Sequence, residues 1–166
     1  MKKILLDTNI YGKIVVDAEK KLIHAKIHSA QDSLSFLIYG FVIIRKELRA
    51  VKRVVEGMNL RSDLLKVYDD LVKKTYPLEN EMERLAEEYF NTYLNLGGTT
   101  PKDKLFNDLL IIACASIKNL NVVVSEDRRT MLGEVAVRAY QQINNNNNYP
   151  QPEFLSYEEF KNELKK

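Results

Sequence analysis

The chain has 166 residues, of which 45% are hydrophobic, and its formal net charge is +2. This length and apolar content suit one domain with a single sizeable core, so we expect residues 1–166 to form one domain. The charge is too small to mark a nucleic-acid binder, because an electrostatic footprint needs clustered Lys and Arg rather than a mild excess. Composition therefore neither indicates nor excludes RNA.

The chain lacks several common signatures. Its only cysteine is Cys114, which rules out an internal disulfide and a thiolate metal cluster. We find no Cys/His metal spacing, no Gly-rich phosphate loop and no internal repeat. The N-terminal apolar run covers only Ile4 to Leu6, far short of a signal-peptide core or of the roughly 20 residues that span a bilayer. We therefore expect a soluble, cytoplasmic protein.

The first predicted element is a strand. The segment KKILLDTN is a short apolar run bounded by charge, which predicts a buried parallel strand that ends near Asp7. Helical spacing alternates with a β-branched stretch over the next 40 or so residues. Ile44, Leu48 and Val51 then recur at steps of three and four, which puts Glu47 on an amphipathic helix near its apolar stripe.

The middle of the chain is predicted to be helical. Residues 59–96 resemble an inserted helical hairpin, whose first helix ends at Pro77 and whose second ends at Gly97 and Gly98. Thr100 as N-cap and Pro101 at the first helical position then predict a further, almost entirely apolar helix. That helix is expected to be buried on most sides.

The C-terminal third returns to alternating elements. The run VVVS predicts a strand, and MLGEVAVRAYQQI has helical spacing. Residues 144–152 begin with five asparagines and predict a mobile Asn-rich loop. A short strand and a last helix capped by Ser156 and Glu159 follow. This alternation predicts an α/β fold with a central parallel sheet covered on both faces.

Acidic residues stand at two predicted strand ends. Asp7 and Asp127 both follow a strand, and ligands of open parallel sheets bind outside the carboxyl ends of the strands. Thr8 and Asn9 have short polar side chains that can cap the next helix or hold the carboxylate of Asp7 in place. The simpler alternative is that Asp7 itself is only a helix cap.

Two further acids lie on predicted helices. Asp108 borders the apolar run LLIIACASI, and burying an unpaired charge costs several kcal/mol. Asp108 therefore either faces solvent at the rim or is compensated by a cation. For Glu47 the simpler explanation is a solvated helix face beside Arg45 or Arg49.

Taken together, these motifs resemble the four acidic motifs of the PIN domain, the fold of the VapC-like toxins and of related RNA-processing nucleases. They are ILLDTN at the end of the first strand, the Glu of RKELRAV, NDLLIIACA at the head of a buried helix, and VVVSED after the next strand. The resemblance covers residues 1 to about 130. It implies a three-layer α/β/α sandwich and a metal-dependent endoribonuclease.

The resemblance also implies roles for individual residues. Asp7, Glu47, Asp108 and Asp127 match the acids that hold Mg²⁺ or Mn²⁺ for catalysis, and Thr8, Asn9 and Ser125 match residues that support them. This chain departs from the pattern after the fourth acid, where Arg128, Arg129 and Thr130 stand instead of a further Asp or Asn. The number of metal ions stays open. Glu126 is adjacent to Asp127 and would point the other way from an extended chain.

Basic residues near the acidic motifs are candidates for attracting RNA, because an acidic pocket repels phosphate. The simpler alternative is that they are solvated charges paired with nearby acids. Tyr11 and Phe106 either stack on bases or pack in the core and rim. The candidate basic residues are Arg45, Lys46, Arg49, Lys102, Lys104, Arg128 and Arg129.

The resemblance further implies partners, namely RNA, an antitoxin protein and a second copy of the chain in a homodimer. The short apolar runs predict no membrane association. Three alternative functions are weighed. A haloacid-dehalogenase-like phosphatase needs an Asp where this chain has Asn9, and a receiver domain needs a late strand-end Lys that VVVS does not supply. A catalytically weak PIN-like module that binds RNA or protein remains as the main alternative.

Overall fold

The computed structural model describes all residues, 1–166, and centres on one parallel sheet. Every neighbouring pair of strands is parallel, and the strand order is β3-β2-β1-β4-β5. Parallel neighbours cannot be joined by tight hairpins, so helical crossovers connect them. The strands are β1 (Lys2–Leu6), β2 (Phe36–Phe41), β3 (Lys74–Tyr76), β4 (Val122–Val124) and β5 (Glu153–Leu155).

Eight helices cover the sheet in two groups. They are α1 (Thr8–Val16), α2 (Lys20–Asp32), α3 (Val42–Arg49), α4 (Leu60–Leu71), α5 (Asn80–Asn95), α6 (Lys102–Ile117), α7 (Glu134–Asn147) and α8 (Tyr157–Leu164). Helices α1 to α4 contact one another and α8 packs on α2, whereas α5 contacts both α6 and α7. The predicted three-layer α/β/α architecture is therefore confirmed.

The core explains why the central segments are so apolar. All three residues of β4 are buried, and so is nearly every residue of α6 from Leu109 to Ser116. A strand covered on both faces has no solvent side, so its sequence is a continuous hydrophobic run rather than an alternating one. These elements join a single cluster of 44 buried hydrophobic residues. None of the helices combines the length and the apolar character that crossing a membrane requires.

The strand order reverses between β1 and β4. The chain leaves β1 for β2 on one side, and it later crosses from β3 at that edge to β4 on the other side of β1. The backbone N–H of Asp7 donates to the carbonyl of Val124 at 2.9 Å, so the carboxyl ends of β1 and β4 adjoin. Such a switch point leaves a crevice at the sheet edge where ligands bind.

The prediction of a helical hairpin at 59–96 is wrong, because the two helices are not joined directly. Helices α4 and α5 exist, but α4 ends at Leu71 and the edge strand β3 separates the two. Pro77 follows that strand and does not end a helix. With only three residues, β3 is too short to show the alternation that identifies a strand in a sequence.

The predicted start of α6 is also corrected. Pro101 is the N-cap and the helix begins at Lys102, while no side chain caps it. Thr100 instead donates its backbone N–H to the hydroxyl of Tyr93 at 2.9 Å.

The predicted mobile loop at 144–152 is wrong over its first half. Helix α7 continues to Asn147, and Asn148 ends it in the left-handed conformation, with φ of 57°. Asn is the residue after Gly that most readily adopts this conformation. Asn144 is buried at 1% exposure. The asparagine-rich composition predicted a loop, but the run forms the end of α7, where the side chain of Asn144 is buried.

The C-terminal elements follow the prediction. A short strand, β5, is present, and α8 begins with a capping box in which Ser156 accepts from the backbone of Glu159 and the side chain of Glu159 accepts from the backbone of Ser156. The reciprocal bonds satisfy two otherwise free backbone donors.

Candidate functional site

Asp7 lies at the carboxyl end of β1 and is buried, at 4% exposure. Its Oδ1 accepts the backbone N–H of Thr8 at 2.8 Å, which makes it the N-cap of α1. Its Oδ2 accepts the hydroxyl of Ser125 at 2.7 Å. The simpler interpretation of Asp7 as a helix cap is thus correct for one oxygen, while the other oxygen reaches across to the end of β4.

Glu47 joins Asp7 through Thr8. The hydroxyl of Thr8 donates to Oε1 of Glu47 at 2.9 Å, and the backbone N–H of the same threonine donates to Asp7. Glu47 lies on α3, directly after β2, so the connection brings the ends of two neighbouring strands together. Glu47 is therefore not a side chain on a solvated helix face.

Asp127 is held by a local turn and by Ser125. Its Oδ1 accepts the backbone N–H groups of Arg129 and Thr130 at 3.2 and 2.9 Å. Its own N–H donates to the hydroxyl of Ser125 at 3.0 Å. Ser125 therefore accepts from Asp127 and donates to Asp7, which links the two acids at the strand ends.

Thr130 is a member of this candidate site that the sequence reasoning missed. Its hydroxyl lies 2.7 Å from Oδ2 of Asp108 and also contacts Oδ2 of Asp127. A hydroxyl has one proton to donate, so both contacts are favourable only when one of the two acids carries a proton. The available signal was its position three residues after Asp127, where an aspartate turn folds the chain back.

The four acids and three hydroxyls thus form one network. Thr8, Ser125 and Thr130 connect the acids in the order Glu47, Asp7, Asp127 and Asp108, with the backbone N–H groups of Thr8 and Asp127 making two of the bonds. None of the four acids has a Lys, Arg or His within ion-pair distance. Negative charge is gathered here without a cationic side chain to balance it.

The pKa values reflect this imbalance. Burial raises the pKa of Asp108 to about 7; the hydrogen bond from Thr130 opposes the rise, and the charges of Asp7, Asp127 and Glu47 add to it. Burial also raises the pKa of Asp7 and of Glu47. Burial acts to raise the pKa of Asp127 as well, but hydrogen bonds from the hydroxyl and backbone of Thr130 outweigh it and lower that pKa. Asp108 therefore has the most strongly raised pKa of the four acids and is the one most easily protonated.

The donor set fits a hard divalent cation. Carboxylate oxygens without a cationic partner suit Mg²⁺ or Mn²⁺. No three of these acids place their oxygens all within 4.8 Å of one another, a separation reached in this structure only by His24, His28 and Asp70. Mg²⁺ binds one or two carboxylates directly and keeps several waters, so close convergence of all four acids is not required.

Asn9 and Glu126 do not touch the acids. Oδ1 of Asn9 accepts the backbone N–H of Glu126 at 3.3 Å. Oε1 of Glu126 accepts the backbone N–H of Tyr157 at 2.7 Å, the first residue of α8. As expected, Glu126 points away from Asp127, and its contact is with the end of a helix.

The basic residues divide into paired and unpaired ones. Both guanidinium contacts of Arg45 go to Asp69, at 3.2 and 3.3 Å, so the simpler interpretation holds for Arg45. Arg128 lies 3.9 Å from Glu159, and Lys102 pairs with Glu87. Among the candidate basic residues near the acidic motifs, the exposed ones without an ion pair are Lys46, Arg49, Lys104 and Arg129.

Tyr11 is excluded from base stacking because it is completely buried. Phe106 is half-buried and lies under the amino group of Lys102, whose Nζ is 5.1 Å from the ring centroid.

A histidine pair was also missed by the sequence reasoning, which found no Cys/His metal spacing. His24 and His28 are one helical turn apart on α2, and Asp70 on α4 lies beside both. The spacing of four residues was visible in the sequence, but the third member is 42 residues further on and comes close only in the fold.

Comparison with solved structures supports the fold. A chain of VapBC2 from Rickettsia felis, crystallised with a DNA fragment from its promoter, has a TM-score of 0.61 at 14% identity and covers 93% of this chain and 98% of its own. A chain of DNA-bound VapBC from Salmonella typhimurium has a TM-score of 0.58 at 15% identity, and the match covers 95% of this chain and 99% of the other. A chain of VapBC-5 from Mycobacterium tuberculosis, a member of the VapBC family of toxin-antitoxin systems, has a TM-score of 0.50 at 19% identity. That match covers 76% of this chain and 86% of the other.

At this level of identity the likeness is one of fold, and it confirms the PIN-like architecture that the sequence resemblance implies. With 93% of the chain covered, it extends beyond residue 130, where the sequence resemblance ends. No protein-family model matches the chain, and no curated protein matches it.

Proposed function

We propose that this protein is a PIN-type, metal-dependent endoribonuclease. The observation that carries the proposal is the network of four acids, linked through Thr8, Ser125 and Thr130 and balanced by no cationic side chain. Acids gathered in this way destabilise a protein unless an ion relieves their repulsion. The position at the carboxyl ends of β1 and β4 is where parallel sheets bind their ligands.

The residues that would hold Mg²⁺ or Mn²⁺ are Asp7, Glu47, Asp108 and Asp127. When bound, such an ion lowers the pKa of a water nucleophile and stabilises charge on a phosphate during hydrolysis. The hydroxyls of Thr8, Ser125 and Thr130 support this set because they fix carboxylate orientation, as outer-shell hydrogen bonds commonly do. Oδ2 of Asp108 accepts the hydroxyl of Thr130, which orients this carboxylate towards the other acids.

The surrounding cations serve the substrate. Lys46, Lys104 and Arg129 are exposed and have no ion pair, and each is close in sequence to one of the four acids. Positive side chains beside an acidic pocket offset its repulsion of phosphate. Single-stranded or looped RNA fits such a site better than an intact duplex, whose deep major groove excludes side chains.

The partners are also part of the proposal. The proteins with this fold described above are VapBC assemblies, one of them of a toxin-antitoxin system. We expect this chain to act as the toxin of such a pair, inhibited by an antitoxin protein, and to form a homodimer. Size-exclusion chromatography with light scattering measures directly whether the chain forms a homodimer.

The test is an RNA cleavage assay with Mg²⁺ or Mn²⁺. Asp7→Asn and Asp108→Asn should each lower the cleavage rate by about 1000-fold, since transition-state stabilisation by a metal amounts to several kcal/mol. Asp127→Asn should behave in the same way. Its matched control is Glu126→Gln, the adjacent acid, whose Oε1 can still accept from Tyr157. Equal rates for Asp127→Asn and Glu126→Gln would refute the assignment.

The main alternative is a PIN-like module that binds RNA or protein without cleaving it. The departure after the fourth acid, where Arg128 and Arg129 stand, is the observation that favours it. Calorimetric titration distinguishes the nuclease from the non-cleaving module. The nuclease should bind Mn²⁺ in the micromolar to millimolar range, and absence of binding in that range would favour the non-cleaving module.

A further inference from the structure

We propose a second metal site, between α2 and α4, that is independent of the proposed nuclease site. It consists of His24 and His28 on α2 and Asp70 on α4, and its ligand is a borderline divalent ion such as Zn²⁺. Neither histidine nor Asp70 hydrogen-bonds to any of the four acids. The cluster is therefore separate from the acidic network in its hydrogen bonding.

The donor atoms already converge. Nδ1 of His24 and Nε2 of His28 both point at one oxygen, Oδ2 of Asp70, at 3.2 and 3.0 Å. All three atoms lie within 4.8 Å of one another. A tetrahedral Zn²⁺ with bonds of about 2.1 Å separates neighbouring ligand atoms by about 3.4 Å. The two nitrogen–oxygen distances are thus close to those of a formed site, and small rotamer changes admit the ion.

Helical spacing explains why the two rings face the same point. Residues four apart on a helix lie one above the other on the same face, and the His24 and His28 ring centroids are 6.4 Å apart. Two histidines at this spacing form a well-known half of zinc sites on helices. Asp70 completes the set from α4, which packs against α2.

The chemistry of the set selects the metal class. Imidazole nitrogens favour Zn²⁺, Ni²⁺ and Cu²⁺ over Mg²⁺ and Ca²⁺, which prefer all-oxygen ligands. The side chains of His24, His28 and Asp70 are 26, 41 and 52% exposed, so an ion has an open approach and a fourth position for water. A simple His–Asp ion pair is the competing interpretation, and it predicts no metal binding.

The consequence is a bridge between two helices. An ion bound by α2 and α4 binds the folded chain and not the unfolded one, so it stabilises the fold by mass action. His24 also borders a cleft of about 410 Å³ that Ile14 and Val67 line. The bridge fixes one wall of that cleft relative to the other.

The first experiment is calorimetric titration of the full chain with Zn²⁺ in excess Mg²⁺, which fills the acidic site. We expect one Zn²⁺ per chain at the histidines, and His24→Ala and His28→Ala should each weaken it by at least about tenfold. Asp70→Asn should weaken it as well. Asp69→Asn is the matched control, because Asp69 is the adjacent acid and pairs with Arg45 instead. Asp108→Asn should leave this binding in place.

The second experiment needs no variant. Paramagnetic Co²⁺ added to the isotope-labelled protein should broaden amide resonances around residues 24, 28 and 70. Broadening only around Asp7, Asp108 and Asp127 would assign the ion to the acids and overturn the proposal, as would titrations in which both histidine variants bind Zn²⁺ like the unaltered protein or in which no Zn²⁺ binds. Loss of RNA cleavage, by contrast, bears only on the proposed nuclease.

Discussion

Two buried polar clusters share helix α6 but differ in their electrostatics. Asp108 belongs to the acidic network near the start of the helix, and Ser116 belongs to a neutral network in its last turn. The neutral network is a hydrogen-bonded set of Tyr89, Ser116 and Asn144, to which Gln151 adds an acceptor. The two lie about 12 Å apart along the helix axis, at 1.5 Å per residue.

The neutral network pairs hydrogen-bond donors with acceptors and contains no charged group. The amide of Asn144 donates to Ser116 at 3.0 Å and to Gln151 at 2.8 Å, and its oxygen accepts the hydroxyl of Tyr89. Each member has at least one hydrogen-bond partner within the network, and such a network rigidifies a core. We infer that it stabilises the packing of α5, α6 and α7.

The acidic network is not satisfied in the same sense. Only the Thr130 hydroxyl bridges two carboxylates directly, and burial, with the charges of the other acids added to it, raises the pKa of Asp108 to about 7. Groups with strongly shifted pKa values collect at functional sites, because there the fold tolerates a loss of stability. The comparison therefore predicts opposite effects of mutation on stability in the two regions.

The largest expected effect is on the neutral network. Asn144→Ala removes one partner from Tyr89, Ser116 and Gln151 and should destabilise the protein by about 2 to 4 kcal/mol. Urea unfolding measures it. The control is Asn145→Ala, whose side chain is exposed in the same helix, and it should change stability by less than about 0.5 kcal/mol. A similar loss in both variants would mean that the asparagine run acts through helix propensity.

The next effect concerns Thr130, which joins two acids. Thr130→Val keeps the shape but removes the hydroxyl, so we expect Mn²⁺ affinity to fall by about 10- to 100-fold, as for other outer-shell bonds to metal ligands. Thr130→Ser retains the hydroxyl and should restore most of the affinity. Calorimetric titration with Mn²⁺ is the measurement, and equal affinity in the valine variant would show that Thr130 only shapes the turn.

At Asp108 we expect a smaller change in stability than for Asn144→Ala, and one that stabilises the protein. Asp108→Asn should stabilise the metal-free protein at pH 8 by about 1 to 2 kcal/mol, because it removes a buried charge that its neighbours repel. The amide can also donate to Thr130 while Thr130 donates to Asp127, which imitates the protonated acid. Urea unfolding with a chelator present measures the gain, and a destabilised variant would contradict the electrostatic account.

The pH dependence follows from the same group. The folded pKa of Asp108 is about 7, above the ordinary value of 3.8, so between these values the folded state binds more protons than the unfolded one. Stability of the metal-free protein should therefore fall as pH rises from about 4 to about 7, by at most about 1.4 kcal/mol per pH unit for one proton. The raised pKa values of Asp7 and Glu47 act in the same direction. Asp108→Asn should make the slope shallower, which unfolding curves at several pH values would show.

The contrast also explains what the sequence could reveal. The acids of the first network stand in short motifs next to strand ends and apolar runs, so Asp7, Asp108 and Asp127 could be named as candidates from local patterns, and the motifs taken together gave the resemblance. The order of elements predicted the parallel sheet for the same reason, since apolar runs and helical spacing are local patterns.

The second network depends on packing that no local pattern records. Asn144 looks like its four exposed neighbours in composition, and only the positions of Tyr89 and Ser116 make it a core residue. Thr130 and Asp70 were missed for the same reason, because the turn after Asp127 and the packing of α4 on α2 bring them to their partners.

The smallest expected effect separates paired from unpaired cations around the acidic network. If Lys104 contacts phosphate, Lys104→Ala should weaken RNA binding a few-fold and reduce the slope of log affinity against log salt by about 1. Arg45→Ala should change neither quantity much, because both contacts of Arg45 go to Asp69. Fluorescence anisotropy with the Asp108→Asn background, which should not cleave, gives both slopes. Equal slopes for the two variants would show that the ion pair with Asp69 opens when RNA binds, and that exposure rather than pairing decides which cations meet the substrate.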